Sequence, residues 1–247
     1  MAPTSSRWGH GLEAPVRVST ERLASSLTIR TFALGSDAMR VLVTAGPTRE
    51  YFDTVRFLSN ASSGRMGYAI AAAAGRRGHD VVLISGPVER SAPVGVEVVR
   101  VVSAAEMLQA AVEQFATAQV AVMVAAVADY RPVTRAHGKQ AKTHECLYVA
   151  LEPTEDICAR LGRTKGRRIV VGFALEDHDH HAHAEEKLRR KGCDAIVLNR
   201  VETAGAADAE IEILCETGGW GDPFRGNKDA VAVEVVALTE ALVAARR

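Results

Sequence analysis

The sequence predicts an α/β protein: a Rossmann-like, doubly wound and mostly parallel sheet, in a single domain with a protruding strand and lid arm. Three observations carry that expectation. Short continuous apolar runs recur, the longest at 120–128, with the length of strands buried on both faces. They alternate with helical segments from Met39 onward, which is how parallel sheets are built. The connection from the first strand to the first helix is long and polar, at the place where open α/β sheets bind ligands.

Taken in order, the first strand is expected at 41–44. A Gly/Pro turn at 45–48 and a small-residue helix at about 64–77 follow, the helix capped by Ser62 or Ser63. Strands come next at 80–85 and 96–102, then a helix at about 104–117 and an apolar strand at 120–125. A polar stretch, 129–145, interrupts the alternation. Residues 146–151 alternate weakly, as a strand in an arm would. A short helix at about 155–162, a strand at 168–173, a charged helix at 180–191, strands at 194–198 and 210–215 and a final helix at 228–245 complete the chain. The link 218–227 reads as a turn-rich loop, with Asn227 placed to cap the last helix. Residues 1–40 are rich in Ser, Thr, Arg and Gly and lack periodicity; they are expected to be a poorly ordered tail ahead of a domain at 41–247. Glu13, Glu21 and Asp37 argue against a transit peptide.

Apolar residues make up 47% of the 247, enough for a sizeable core. The 30 basic and 30 acidic side chains cancel, so no global field favours nucleic acid or an anionic membrane. Any anion site has to be built locally. No run reaches the roughly 20 apolar residues of a membrane span. Cys146, Cys158, Cys193 and Cys215 form no CxxC, which leaves buried small hydrophobes or incidental thiols and disfavours a disulfide framework or zinc site. A reducing cytoplasm suits them.

Several segments carry chemistry. Ser59-Asn60-Ala61-Ser62-Ser63-Gly64 leads into a helix whose first N–H groups suit phosphate. Arg49 and Arg56 flank it with the fork that binds phosphate or carboxylate. The bland alternative is a βα connection with surface charge. Ala125 to Asp129 follows the apolar strand with small residues and then a carboxylate, which suits a ribose hydroxyl, Mg2+ or a turn cap. Lys139 and Lys142 sit beside Gly138 in a loop able to close on a polyphosphate, or simply to be solvated. Phe173 ends a strand, where it stacks on a base or, on the residues alone, packs in the core. Lys187 and Lys191 share a helical face and would meet phosphates if it points to the sheet's C-terminal edge. His178 to His183 does not match the HExxH spacing and reads as a surface cluster. GxGxxG and the GxSxG elbow are both missing, against an ordinary dinucleotide site and a hydrolase triad.

Four blocks in one order give the chain a family resemblance. They are TAGPTRE…VRFLSNASSGRMG at 44–67 with SGPV at 85–88, AAVADYRP at 125–132, VVGFALE at 170–176 and KLRRKGCDAIVLN at 187–199. Together they resemble the bacterial phosphopantothenate–cysteine ligases (phosphopantothenoylcysteine synthetases), in a free-standing form of the DNA/pantothenate metabolism flavoprotein C-terminal domain family, over about 41–245. The resemblance implies a two-step ligation in coenzyme A biosynthesis. The carboxylate of 4′-phosphopantothenate attacks the α-phosphate of CTP, giving an acyl-cytidylate and pyrophosphate, and the amine of cysteine then displaces CMP. It also implies a homodimer that needs Mg2+. The family's frequent fused partner, a flavin-dependent decarboxylase, would lie N-terminal, where only 40 residues precede the domain, so a cytoplasmic, free-standing ligase with no fused decarboxylase domain is expected, and on charge and run length no nucleic-acid or membrane partner.

By the same resemblance Asn60 and Lys139 match the catalytic residues. Ser62, Ser63, Gly64, Gly67, Ala125, Asp129, Lys139, Asp156, Ile157, Phe173, Lys187 and Lys191 match positions that hold the nucleotide, Asp129 also as a metal ligand. Arg56 and Asn60 match the phosphopantothenate site, formed across the dimer. Three departures stand against this. Thr154-Glu155-Asp156-Ile157 replaces Asn-Pro-Asp-Ile; Lys139-Gln140-Ala141-Lys142 has one lysine fewer than the family's lid; Leu198-Asn199-Arg200 replaces Ala-Asn-Asp. The turn is expected to survive through Asp156, while Glu155 adds negative charge near the triphosphate. Two rivals follow: an NAD(P)- or flavin-binding oxidoreductase on the same fold, countered by the missing GxGxxG, and a non-catalytic nucleotide-binding relative.

Overall fold

Strand β1 (Arg40–Ala45) turns Val41, Val43 and Ala45 to one core and Leu42 to another, all of them buried. A strand that is apolar on both faces needs cover on both. The computed structural model describes residues 38–176, 179–200 and 208–247. After β1 come β2 (Arg49–Tyr51), β3 (Phe57–Ser59), α1 (Arg65–Arg76), β4 (Asp80–Ser85), β5 (Glu97–Arg100), α2 (Ala104–Phe115), β6 (Val120–Met123), β7 (Tyr130–Pro132), β8 (Leu151–Pro153), α3 (Ile157–Thr164), β9 (Ile169–Glu176), α4 (His180–Lys191), β10 (Ala195–Arg200), β11 (Asp208–Cys215), β12 (Gly219–Trp220), β13 (Phe224–Asn227) and α5 (Lys228–Ala245).

Strands β5-β4-β1-β6-β9-β10 lie side by side in that order and run parallel. Antiparallel β11 extends the β10 edge and pairs with β12 and β13. This is the doubly wound order, and it reverses between β1 and β6. On one face α1 and α5 contribute Ile70, Ala74, Val231 and Val235 to a core with Val41, Val43 and Leu83. On the other, Met107, Phe115, Leu161 and Leu188 of α2, α3 and α4 pack on Leu42, Ile84 and Ile196. The observed fold class is therefore the expected one. Among the described residues no helix is long and apolar enough to cross a membrane.

The bounds of α4 and α5 match expectation, and Asn227 caps α5 by accepting the Ala230 N–H at 2.9 Å. Four expectations are corrected. First, neither Ser62 nor Ser63 caps α1. Its N-cap is Gly64, left-handed at φ 69°, and no side chain bonds the first turn; the Ser62 hydroxyl accepts the Gly64 N–H at 3.3 Å instead. The positive φ explains the glycine, since a Cβ there is strained. Second, 146–150 is not a strand; only Leu151 of the expected segment lies in β8, which pairs with β7 in the arm. Leu147, Val149 and Leu151, which supply the alternation, are 54%, 37% and 44% exposed, so no buried face fixes a register. Third, the polar loop after β1 contains a hairpin, β2 against β3. Fourth, the link 218–227 contains β12 and β13. These strands are too short to show a period.

Residues 1–37, most of the expected tail, lie outside the described residues. Met39 is already buried and Arg40 pairs with Asp80 at 2.6 Å, so the folded part begins ahead of residue 41.

Candidate functional site

The segments leaving β1 and β6, on either side of the point where strand order reverses, are bonded to each other. Gly46 C=O accepts the Ala126 N–H at 2.9 Å. The Thr44 hydroxyl accepts the N–H groups of Val124 and Ala125 at 3.0 and 3.2 Å, and the Thr48 hydroxyl accepts that of Ala128 at 2.9 Å. The Thr154 hydroxyl donates to Ala128 C=O at 2.6 Å. Thr44 and Thr48 are fully buried. Residues 124–129 have left the sheet, and these hydroxyls satisfy backbone groups that a ladder would otherwise pair. Thr48→Val keeps the shape and orphans the buried Ala128 N–H. It is expected to lower the unfolding free energy by about 1–3 kcal/mol, read from the denaturant midpoint; an unchanged midpoint would show that this bond holds nothing.

With that side closed, the open space lies past the end of β6 and over the middle of β9 and the start of β10, as a cavity of about 200 Å³. Met123, Ala125, Ala126 and Val127 form one wall, Gly172, Phe173 and Ile196 another. Residues 154–158 at the start of α3, Lys187 and Lys191 from α4, and Asp129 complete it. Asp156 caps α3: one carboxylate oxygen accepts the Ala159 N–H at 3.0 Å, and the other meets Lys191 Nζ at 3.2 Å. Burial opposes its ionisation, but the Ala159 N–H and the Lys191 ammonium hold the Asp156 carboxyl below its usual range. The turn therefore survives through Asp156, as expected. Glu155 pairs with Arg160 at 3.3 Å and Arg163 at 3.8 Å. These exposed pairs are weak, yet they offset the Glu155 charge at the edge of the cavity. Asp129 is exposed, and its carboxylate has no hydrogen-bond or ion-pair partner among the described residues. It is not a turn cap.

Asn60 touches this cavity from outside: its Nδ2 donates to Val127 C=O at 2.9 Å and lies 3.5 Å from Ala126 C=O. Arg56 is engaged elsewhere. Its Nε donates to Asp53 Oδ2 at 2.8 Å, its other end donates to Gln140 C=O, and it lies over the Phe52 ring. Asp53 is fully buried. The backbone N–H of Arg56 above all, then those of Val55 and Gln140 and the Arg56 guanidinium, lower its carboxyl to about 2 against the opposing effect of burial. The segment 134–145, expected as a mobile loop able to close or simply to be solvated, is thus tied to the hairpin, and Ala136 N–H adds a bond to Phe52 C=O at 2.9 Å.

This has a pH consequence. A carboxylate whose folded pKa is depressed stabilises fully above its unfolded value, 3.8, and loses that contribution as pH falls through about 2. Asp53→Asn is expected to flatten the acid limb of unfolding free energy against pH between about 4 and 2. An unaltered limb would contradict the assignment.

The structure gathers Ala125, Asp129, Asp156, Ile157, Phe173, Lys187 and Lys191 around one cavity and brings Asn60 to its rim. It does not bring Ser62, Ser63, Gly64 or Gly67 into the lining. Gly67 is buried where α1 crosses β1, at a point where a Cβ would stand 2.6 Å from that of Ala45. Lys139 is exposed beside Gln140, also outside the lining. Sequence reasoning missed Thr44, Thr48 and Thr154 as organisers, and Asp53 altogether. The two threonines of β1 and its turn had a signal, standing inside the TAGPT stretch. His178 lies outside the described residues, as does the side chain of Arg200. His181 pairs with Glu212 at 2.9 Å and packs on Trp220. Among the described residues no three His, Cys, Asp or Glu gather to hold a metal. Cys158, Cys193 and Cys215 are buried free thiols, and Cys146 is exposed.

Residues 37–242 match the family described as the DNA/pantothenate metabolism flavoprotein C-terminal domain. The chain is similar to a cysteine/cysteine sulfinic acid decarboxylase from an unknown prokaryotic organism, 47% identical over 169 residues, 68% of this chain and 47% of that protein. It is also similar to the coenzyme A biosynthesis bifunctional protein CoaBC of Vibrio cholerae, 41% identical over 206 residues, 81% of this chain and 51% of that one. The chain spans about half the length of these curated relatives. Its structure resembles the crystal structure of the C-terminal domain of the coenzyme A biosynthesis bifunctional protein CoaBC, with a TM-score of 0.72 and 36% identity, covering 84% of this chain and 96% of that one.

Proposed function

The chain belongs to the DNA/pantothenate metabolism flavoprotein C-terminal domain family, and from that premise we propose that it is a ligase of coenzyme A biosynthesis that joins 4′-phosphopantothenate to L-cysteine, using CTP. One observation carries the reading: Asp129, Lys187 and Lys191 line the same cavity as Ala125, Ala126, Gly172 and Phe173. Small residues and a ring admit a flat base, and the ammonium groups oppose phosphate charge.

Catalysis in this reading is positioning and charge stabilisation, with no covalent enzyme intermediate. A carboxylate oxygen of phosphopantothenate bonds the α-phosphorus of CTP as the bond to pyrophosphate breaks. The cysteine amine then bonds the acyl carbon, loses its proton, and CMP leaves with that oxygen. Lys187 and Lys191 stabilise the departing charge, and Lys139 approaches from the arm. Asn60 donates to the acyl carbonyl with the amide hydrogen it does not give to Val127. Ser62, Ser63 and Gly64 border the uncapped first turn of α1, whose N–H groups suit a phosphate. Arg56, whose guanidinium also holds Asp53, is the proposed contact for phosphopantothenate. The donor set fits Mg2+: Asp129 offers an unengaged carboxylate, and this ion is commonly held by one or two carboxylates with substrate phosphates supplying the rest. Bound there, it would offset triphosphate charge.

The arm exposes Val133, Leu147, Tyr148 and Val149. An apolar surface of this kind suits a second copy of the chain and supports a homodimer. The free thiols suit the cytoplasm. Purified protein given Mg2+, phosphopantothenate and cysteine is expected to release pyrophosphate faster with CTP than with ATP. Equal or faster release with ATP would overturn the cytidine assignment; release without phosphopantothenate would overturn the ligation.

A further inference from the structure

We propose that Cys158 and Cys193 form a reversible thiol-oxidation site, closing to a disulfide beneath the cavity when a peroxide reaches it. The two residues lie 35 apart in the chain, yet their Sγ atoms stand 3.3 Å apart. The ligation uses neither thiol.

The juxtaposition is built into the backbone. Helix α3 touches the end of α4 at Gly162, where a Cβ would come within 1.9 Å of the Lys191 carbonyl oxygen and 3.0 Å of that of Gly192. This contact sets Cys158, one helical turn earlier on α3, against Cys193, which follows the left-handed Gly192 cap of α4. Gly172 of β9 leaves room for both sulfurs: a Cβ there would stand 3.3 Å from Cys193 Sγ and 3.6 Å from Cys158 Sγ. Both thiols are buried, and Cys158 forms part of the cavity wall. A molecule the size of hydrogen peroxide in the cavity therefore meets Cys158, with Cys193 Sγ 3.3 Å behind it.

The surroundings divide the roles. The hydrogen bond from Cys158, with Lys191 and Lys165 nearby, lowers the Cys193 thiol against the effect of burial, while the same bond and burial raise Cys158. Of the two, Cys193 is the one biased toward the thiolate. The thiolate attacks one peroxide oxygen, the O–O bond breaks, and the leaving hydroxide takes a proton from solvent to become water. Cys158 sulfur then attacks the sulfenic sulfur; the S–S bond forms, the S–O bond breaks, and hydroxide leaves with the Cys158 proton as a second water. Two thiols lose two electrons and one peroxide becomes two waters. A disulfide bond is about 2.05 Å long, so the sulfurs close by roughly 1 Å. Small thiols reverse the bridge by exchange.

Graded hydrogen peroxide followed by alkylation in denaturant tests this by mass on the wild-type chain, whatever the outcome of any ligase assay. The expected result is joint loss of two alkylatable thiols, a cross-link between the peptides of Cys158 and Cys193, and recovery of both thiols with dithiothreitol. Cys158→Ala is expected to abolish the cross-link and leave a dimedone-reactive sulfenic acid on Cys193. Cys146→Ser, at the exposed thiol, is expected to leave the cross-link unchanged. Oxidation of Cys146 to completion with no cross-link at Cys158 and Cys193, or separate oxidation of those two, would overturn the proposal.

Discussion

Asn60→Asp is expected to slow amide formation by about 10²–10³-fold while leaving the fold intact. Asn60 is exposed, and its amide nitrogen points at the carbonyls of Val127 and Ala126 on the cavity rim. Aspartate has the same shape but accepts where the amide donates. It would face two carbonyl oxygens with a negative charge, and would repel the oxygen of the mixed anhydride instead of stabilising it. The stability lost is that of one exposed hydrogen bond, about 1 kcal/mol. The barrier rises by about 3–4 kcal/mol. Because the second figure is several times the first, the two separate cleanly in experiment. The unfolding midpoint reads one, and single-turnover formation of the amide reads the other. Turnover within about twofold of wild type would remove Asn60 from the mechanism.

Gly162→Ala is expected to destabilise the chain by about 1–3 kcal/mol and to weaken CTP binding. Two effects compete. Helix propensity favours alanine over glycine inside a helix by roughly 1 kcal/mol. Against it, the new Cβ would lie 1.9 Å from the Lys191 carbonyl oxygen. That neighbour is backbone and has no rotamer to turn away, so α3 and α4 must separate. Overpacking of this kind typically costs 1–3 kcal/mol and sometimes more, which outweighs the propensity gain. Separation also loosens the 3.2 Å pair between Asp156 and Lys191 that shapes the cavity's polar side. Denaturant unfolding and CTP titration measure the two consequences. A midpoint at or above that of wild type would mean that propensity wins and that this close approach does not seat α3.

The parallel sheet is legible in the sequence because strands buried on both faces appear as unbroken apolar runs, as Val120–Met123 does with all four residues buried. The cavity is legible in part for a related reason. Ala125 and Asp129 announce themselves by following the apolar run of β6, whereas Phe173 lies inside β9, which runs on to Glu176 past the expected strand end, and Asp156 is reached only through the family resemblance. The hairpin β2–β3 is not legible. Each strand is three residues long, and Phe57, Leu58 and Ser59 are all exposed, so no alternation exists to read. Arg56 shows the limit for single residues. Its place beside a polar loop is plain in the sequence, and only the fold reveals the buried Asp53 that it also grips. Cys158 and Cys193 carry no CxxC spacing; they meet through a contact between two helices that no local pattern encodes.

An acyl-cytidylate opened by cysteine would leave its mark on the fate of one oxygen. The protein is given CTP, Mg2+, cysteine and 4′-phosphopantothenate labelled with 18O in its carboxylate. The account predicts one labelled oxygen in the CMP formed with each amide, because the C–O bond of the mixed anhydride breaks when the amine displaces CMP. Unlabelled CMP accompanying the amide, or label appearing in inorganic phosphate, would contradict it.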